Sequence, residues 1–389
     1  MAGEHSTLTT HADTEPGARS RQAPLWRFLL PSLLGVLFFL TPVYTGEKWT
    51  ILMGVMSDYL TTVIGDAMAW VLLAILSTSA ILTPLVSWLK LPVIPAGHRW
   101  RHIFAVTTPW VVLRLLGAVT AWLIHFKLGP EFIWHEDTGG VAFYALAGGI
   151  VTIFFFAALL LPFLTDYGFM EFVGTTFRNS FRRVFRLPGR SAIDATASWL
   201  AAAAVGILIT IQQYEKGFYS KREAAVIATN FSITSLPFCV FVVGFIGLEA
   251  MFFQVYGTVV LIGLVAAIVV PRLPPLSRIP DEYHPLVGKQ IAESTPQGRS
   301  LFGHALDEAR QRAARGPGPL EFLRTAATHV LDIWFGLLPA VVVVGMAGMA
   351  LVEFTPIMHW LAWPFVPLLE LLQLPEARDA APTLSLIHI

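Results

Sequence analysis

Cysteine and charge are what this sequence is shortest of. Cys239 is the single cysteine in 389 residues, which excludes an intramolecular disulfide and any multi-cysteine zinc or iron–sulfur site. Charged residues make up 13 %, about half the share usual in soluble domains. Acidic and basic residues balance at 26 each, so no bulk field argues for a nucleic-acid partner. Signatures of catalysis are missing as well. The sequence has no Gly-x-x-x-x-Gly-Lys-Ser/Thr phosphate loop, no Gly-x-Ser-x-Gly and no His-Glu-x-x-His. Neither an enzyme activity nor a cofactor is expected from such a chain.

Long apolar runs take the place of charge. About 20 helical residues cross a hydrocarbon core of roughly 30 Å. Trp26–Tyr44, Ala67–Leu89, Ile103–Phe126 and Val141–Leu164 meet that length, as do Ala192–Ile211, Ala224–Gly247, Ala250–Val270 and Thr328–Phe354. Ile357–Leu372 is a weaker candidate. The fold class expected is therefore an all-α polytopic transmembrane bundle. Residues 1–24 are polar and read as a disordered cytoplasmic tail. Residues 25–165 form an N-terminal bundle, 166–270 a core, 271–325 a hydrophilic cytoplasmic connection, and 326–389 the start of a further transmembrane repeat. The chain stops at Ile389 without a closing polar tail, which reads as a truncation.

Lys and Arg set the expected orientation. Arg19, Arg21 and Arg27, then Lys90, Arg99 and Arg101, then Arg178, Arg182, Arg183, Arg186 and Arg190 alternate with acidic connections. Glu47, Asp58 and Asp66 lie in one of these, and Glu131, Glu136 and Asp137 in the other. The N-terminus is thus placed in the cytoplasm. Three further full crossings would put Pro271–Arg324 outside, yet that segment is rich in arginine. One of the preceding runs is therefore expected to enter and leave on the same side, and non-helical backbone at depth is tolerated only inside protein or beside water. Within Pro271–Arg324, Leu301–Ala314 has helical spacing and is expected to lie on the membrane surface or the cytoplasmic face.

The polar interruption from Asp194 to Pro237 is the natural place for that re-entry. Asp194-Ala-Thr-Ala-Ser198 opens an alanine-rich helix, and Thr229-Asn230-Phe-Ser232-Ile-Thr234-Ser235-Leu-Pro237 breaks the next apolar run. Unpaired polar groups in lipid cost several kcal/mol, roughly. So many of them at depth point to a polar solute held by broken helices. Ser198, Asn230, Ser232, Thr234 and Ser235 supply neutral donors and acceptors suited to a ribose or a nucleobase edge. Helix–helix hydrogen bonding competes with that role. Asp194 is placed as a helix N-cap. Glu223 follows Lys221 and Arg222 and is expected in an interfacial ion pair. Arg114 is expected to face the bundle, with Asp166 or Glu171 as partner. His125, His135, Glu136 and Asp137 lack metal-ligand spacing and read as a solvated loop. The tryptophans fall near run ends as interfacial anchors.

Pro31-Ser-Leu-Leu-Gly35 through Pro42, with Gly46-Glu-Lys-Trp49, resembles the opening of the bacterial YjiH membrane-protein family. Phe185-Arg-Leu-Pro-Gly189 through Asp194, then Gly217-Phe-Tyr219-Ser-Lys-Arg222-Glu223 and Thr229–Ser235, resemble its nucleoside-recognition or Gate domain. Such domains are shared with concentrative nucleoside transporters, the ferrous-iron transporter B and spore-maturation membrane proteins. The resemblance implies a multi-pass inner-membrane protein with a re-entrant polar core. It implies secondary transport of a small polar, nucleoside-like solute, driven by Na⁺ or H⁺. A scaffold or accessory subunit using the Gate core for packing is the alternative. Membrane lipid, the solute, the coupling ion and a second copy of the chain are the expected partners.

Overall fold

The computed structural model describes residues 23–46, 49–95, 98, 100–200, 203–231, 236–289, 300–357, 360, 363 and 366–371. The tail to residue 22, the end from residue 372 and part of Ile357–Leu372 lie outside them. Helices dominate, and the two strands found among the described residues form one small hairpin. The protein is an all-α helical membrane bundle. Five helical runs are long and apolar enough to cross a membrane: Leu52–Ser87, Thr108–His125, Glu131–Thr165, Glu249–Arg272 and Pro319–Phe354.

The N-terminal half opens with α1 (Leu25–Phe39), the hairpin β1 (Pro42–Tyr44) and β2 (Trp49–Ile51), then α2 (Leu52–Ile64) and α3 (Met68–Ser87). The short α4 (Arg101–Phe104) leads to α5 (Thr108–His125). Next come α6 (Glu131–Trp134), a wide π-helical stretch Glu136–Ala147, α7 (Gly148–Leu160) and α8 (Pro162–Thr165). Proline opens α8 and stands in the first turn of α5, where a missing amide costs nothing.

Two expectations change here. Trp26–Tyr44 is not one span, because α1 ends at Phe39 and Pro42 starts a strand. The acidic connection around Asp58 is the helix α2, which buries Met53, Gly54 and Ser57 against α7. Asp58 sits on its exposed side and Asp66 in the turn that follows it, so averaging over both faces conceals a one-sided apolar helix.

The central part holds α9 (Phe169–Ser180), α10 (Ser191–Leu200), α11 (Ala203–Glu215), α12 (Lys221–Asn230), α13 (Leu236–Phe245) and α14 (Phe252–Val269). The last part holds α15 (Leu301–Ala314), α16 (Pro319–Asp332), α17 (Leu338–Phe354) and α18 (Val366–Leu371). Leu338 and Val342 of α17 share a core with Leu72 and Leu76 of α3 and Phe143 of the π-helical stretch. The segment after residue 326 therefore packs into the N-terminal bundle.

One face gathers the chain start, α9 and α15. Ala305, Ala309 and Ala313 repeat at helical spacing and are fully buried, giving α15 a smooth stripe against α9. Ala23 N donates to Arg310 O at 3.2 Å, Arg310 Nε donates back to Ala23 O at 2.9 Å, and Tyr167 Oη donates to Pro317 O at 3.0 Å. Arg312 binds Asp166 at 3.0 Å and Glu171 at 3.3 Å. Both carboxylates are thus taken by Arg312, and Arg114 is partnered elsewhere. Its guanidinium donates to Thr83 Oγ1 at 2.9 Å and Ile103 O at 2.7 Å, with Asp332 as the nearby charge.

Candidate functional site

Four short helices build the centre. Helices α10 and α11 have 10 and 13 residues, or about 15 and 20 Å at 1.5 Å per residue. Neither reaches across a core of roughly 30 Å. They run antiparallel: Thr210 meets Asp194, and Gly206 meets Ser198. An ideal Cβ on Gly206 would lie 1.6 Å from Ser198 Oγ, so glycine is what lets the two helices close. The pair is a helical hairpin. Helices α12 and α13 have ten residues each; residues 232–235 between them lie outside the described residues.

Asp194 lies inside the hairpin. It stands three residues past Ser191, the start of α10, so it is not the N-cap expected. Its carboxylate accepts from Tyr219 Oη at 2.9 Å and from Thr210 Oγ1 at 3.3 Å, and the residue is only 2 % exposed. Helical geometry places it on the buried face of α10, one turn before Ser198, so it turns toward α11 instead of back to the amides. Arg190 supplies positive charge at the hairpin base, its guanidinium 4.1 Å from the Phe218 ring centre.

Tyr219 and Thr210 were not picked out from the sequence as functional residues. Thr210 is the lone hydroxyl in Gly206-Ile-Leu-Ile-Thr210-Ile, which is the cue that could have found it. Tyr219 is fully buried, and only its place in the Gly217-Phe-Tyr219-Ser motif pointed to it.

Ser198 is buried at the hairpin contact, one turn from Asp194. Asn230 is buried at the end of α12, where its Nδ2 donates to Val226 O at 3.1 Å and to Thr229 Oγ1 at 3.0 Å. It therefore closes α12. Ser198 and Asn230 are held on different helices, and no direct bond joins them among the described residues. Ser232, Thr234 and Ser235 lie outside the described residues. Glu223 forms a capping box instead of an ion pair: Ser220 N donates to its carboxylate at 2.8 Å, and Glu223 N donates to Ser220 Oγ at 3.2 Å. That box fixes where α12 starts, and with it the height of the break.

A half-length helical hairpin beside two ten-residue helices, inside a bundle of membrane-length helices, defines a polytopic helical membrane protein. Residues 147–249, from α7 to the turn after α13, match the Gate family, described as nucleoside recognition. The chain is 44 % identical over 358 residues to an uncharacterized protein of Alkalihalophilus pseudofirmus, covering 92 % of this chain and 77 % of that protein. It belongs to the same family as that protein. No solved structure matches it.

Proposed function

We propose that the chain is a secondary transporter of a small polar, nucleoside-like solute in the bacterial inner membrane, with its N-terminus in the cytoplasm. The observation that carries this reading is the hairpin α10–α11 beside the break between α12 and α13, inside the region matching a nucleoside-recognition family. Broken helices leave amides and carbonyls at mid-depth, where a solute can use them, and rigid parts rock around that point. Ser198 and Asn230 would contact the solute, with Ser232, Thr234 and Ser235 at the break. An Na⁺ or H⁺ gradient would drive the cycle, and the solute would pass unchanged. The motifs quoted above support YjiH-family membership under this reading.

Purified protein in proteoliposomes, tested with radiolabelled nucleosides, nucleobases and amino acids under Na⁺ and H⁺ gradients, decides the matter. Gradient-driven, saturable uptake that Asn230→Ala and Ser198→Ala reduce by about tenfold or more is the expected result, equivalent to about 1.4 kcal/mol. Absence of uptake and binding across the panel would favour a scaffold role.

A further inference from the structure

A cavity of about 700 Å³ lies outside the hairpin site, between α2, the start of α3, α7 and α13. Its volume falls in the range that holds small molecules. One wall is a cluster of hydroxyls. Ser57 Oγ donates to Thr152 Oγ1 at 3.0 Å, Thr61 Oγ1 lies 3.1 Å from Thr152 Oγ1, and Thr152 Oγ1 donates to Gly149 O at 3.1 Å. Ser57 and Thr152 are buried in the bundle while lining this open space. Asp58, Asp66 and Glu249 also line it, with His125, whose Nδ1 lies 3.2 Å from Tyr144 Oη, and among the described lining residues there is no lysine or arginine.

Its place along the bundle is set by two helices. Thr152 precedes Asp166, on the arginine-rich face, by about 20 Å of helical rise. The run Glu249–Arg272 has 24 residues and spans about 36 Å, with its glutamate at the cavity and its arginine at the other end. The hydroxyl wall thus sits near mid-depth, and exposed Asp58 and Asp66 stand toward the face away from the arginines. A cleft walled by low-dielectric protein and lined by carboxylates without lysine or arginine focuses its field, changing local ion concentration by about 10–10³-fold. Anions are repelled from it, whereas hydroxyl-bearing neutral or cationic solutes find acceptor oxygens on the deep wall, whose own hydroxyl protons are already donated within the protein.

We propose that this cavity is a solute vestibule that admits uncharged or cationic, hydroxyl-bearing molecules of nucleoside size and turns away phosphorylated ones. Transport through it rests on the function proposed above; binding in it does not. It is separate from the Asp194 network and adds charge selection to the broken-helix site.

Charge-selective labelling tests it. Thr61→Cys and, separately, Tyr144→Cys are placed in the full chain carrying Cys239→Ala, with Leu286→Cys as an exposed control. Modification rates are compared for trimethylammonium-ethyl and sulfonatoethyl methanethiosulfonate. The cationic reagent is expected to be favoured at the cavity cysteines by about tenfold over the control ratio. Asp58→Asn/Asp66→Asn/Glu249→Gln should bring the ratio back to the control. Uridine at millimolar concentration should slow modification, and uridine monophosphate should not. Equal rates for both reagents at both cavity positions, or equal protection by the monophosphate, would overturn the proposal. Uptake in proteoliposomes without charge preference sinks the vestibule and leaves transport standing. Protection by uridine without any uptake does the reverse.

Discussion

A carboxylate taken out of water must be paired, hydrogen-bonded or protonated, and the protein uses different answers at different depths. Asp194 is held by Tyr219 and Thr210. Asp166 and Glu171, beyond the end of the Glu131–Thr165 run, share Arg312. Burial pushes the pKa of both these carboxyls above the usual carboxylate range, and Arg312 pulls against that rise. A carboxyl with a higher pKa folded than unfolded holds its proton more tightly when folded. Its contribution favours folding below the unfolded pKa and is lost as pH rises through the folded value. Arg312→Gln removes the opposing cation and leaves two neighbouring carboxylates to ionise at neutral pH. Thermal unfolding in detergent should therefore show a loss of about 1.5–3 kcal/mol at pH 8, the range for hydrogen bonds to charged groups, shrinking as pH is lowered toward 5. An equal loss at both pH values would mean that the ion pair is irrelevant to the effect. Sequence alone did not join these residues. Arg312 is distant from both carboxylates along the chain, and the nearer expectation, Arg114, is taken by Thr83 and Ile103.

At the scale of single elements, legibility followed the strength of the local pattern. Leu301–Ala314 was readable to its ends because alanine recurs every fourth position and Ser300 caps the start, accepting from Gly303 N at 3.1 Å. The interruption at Asp194–Pro237 was readable as polarity within apolar runs, and the described residues there form a hairpin followed by two short helices. What stayed hidden was α2, whose exposed Asp58 masks a buried face made partly of glycine and serine. Asp194's partners stayed hidden too, since Tyr219 reaches it only once α11 folds back. The alanine stripe of α15 makes its own prediction. Gly168, at φ +99°, brings its Cα so near that an added Cβ would lie 2.3 Å from Ala309 O. Nothing larger than alanine fits at that seam. Ala309→Leu should cost about 1–3 kcal/mol of docking and speed tryptic cleavage after Arg310 and Arg315, while Ala314→Leu, on a half-buried position, should do much less.

The whole molecule is constrained by parity. Ala23, Asp166, Glu171 and Arg310–Pro317 touch one another, so all lie on one side of the bundle. Between Glu171 and Arg310 the chain must therefore cross an even number of times. The hairpin α10–α11 is too short to cross and returns to its starting face, where Phe218 and Arg190 meet. That leaves the pair α12–α13 as one crossing and Glu249–Arg272 as the second. Counting the hairpin as a crossing would strand the arginines of α15 opposite those of α9, which their contacts forbid. The same count places Ala250 at the far end from Arg315. Single cysteines at Arg315 and at Ala250, each with Cys239→Ala, should react with a membrane-impermeant maleimide from opposite sides of sealed vesicles. Labelling of both from one side would mean that Glu249–Arg272 does not span, and the hairpin would have to be counted as a crossing after all.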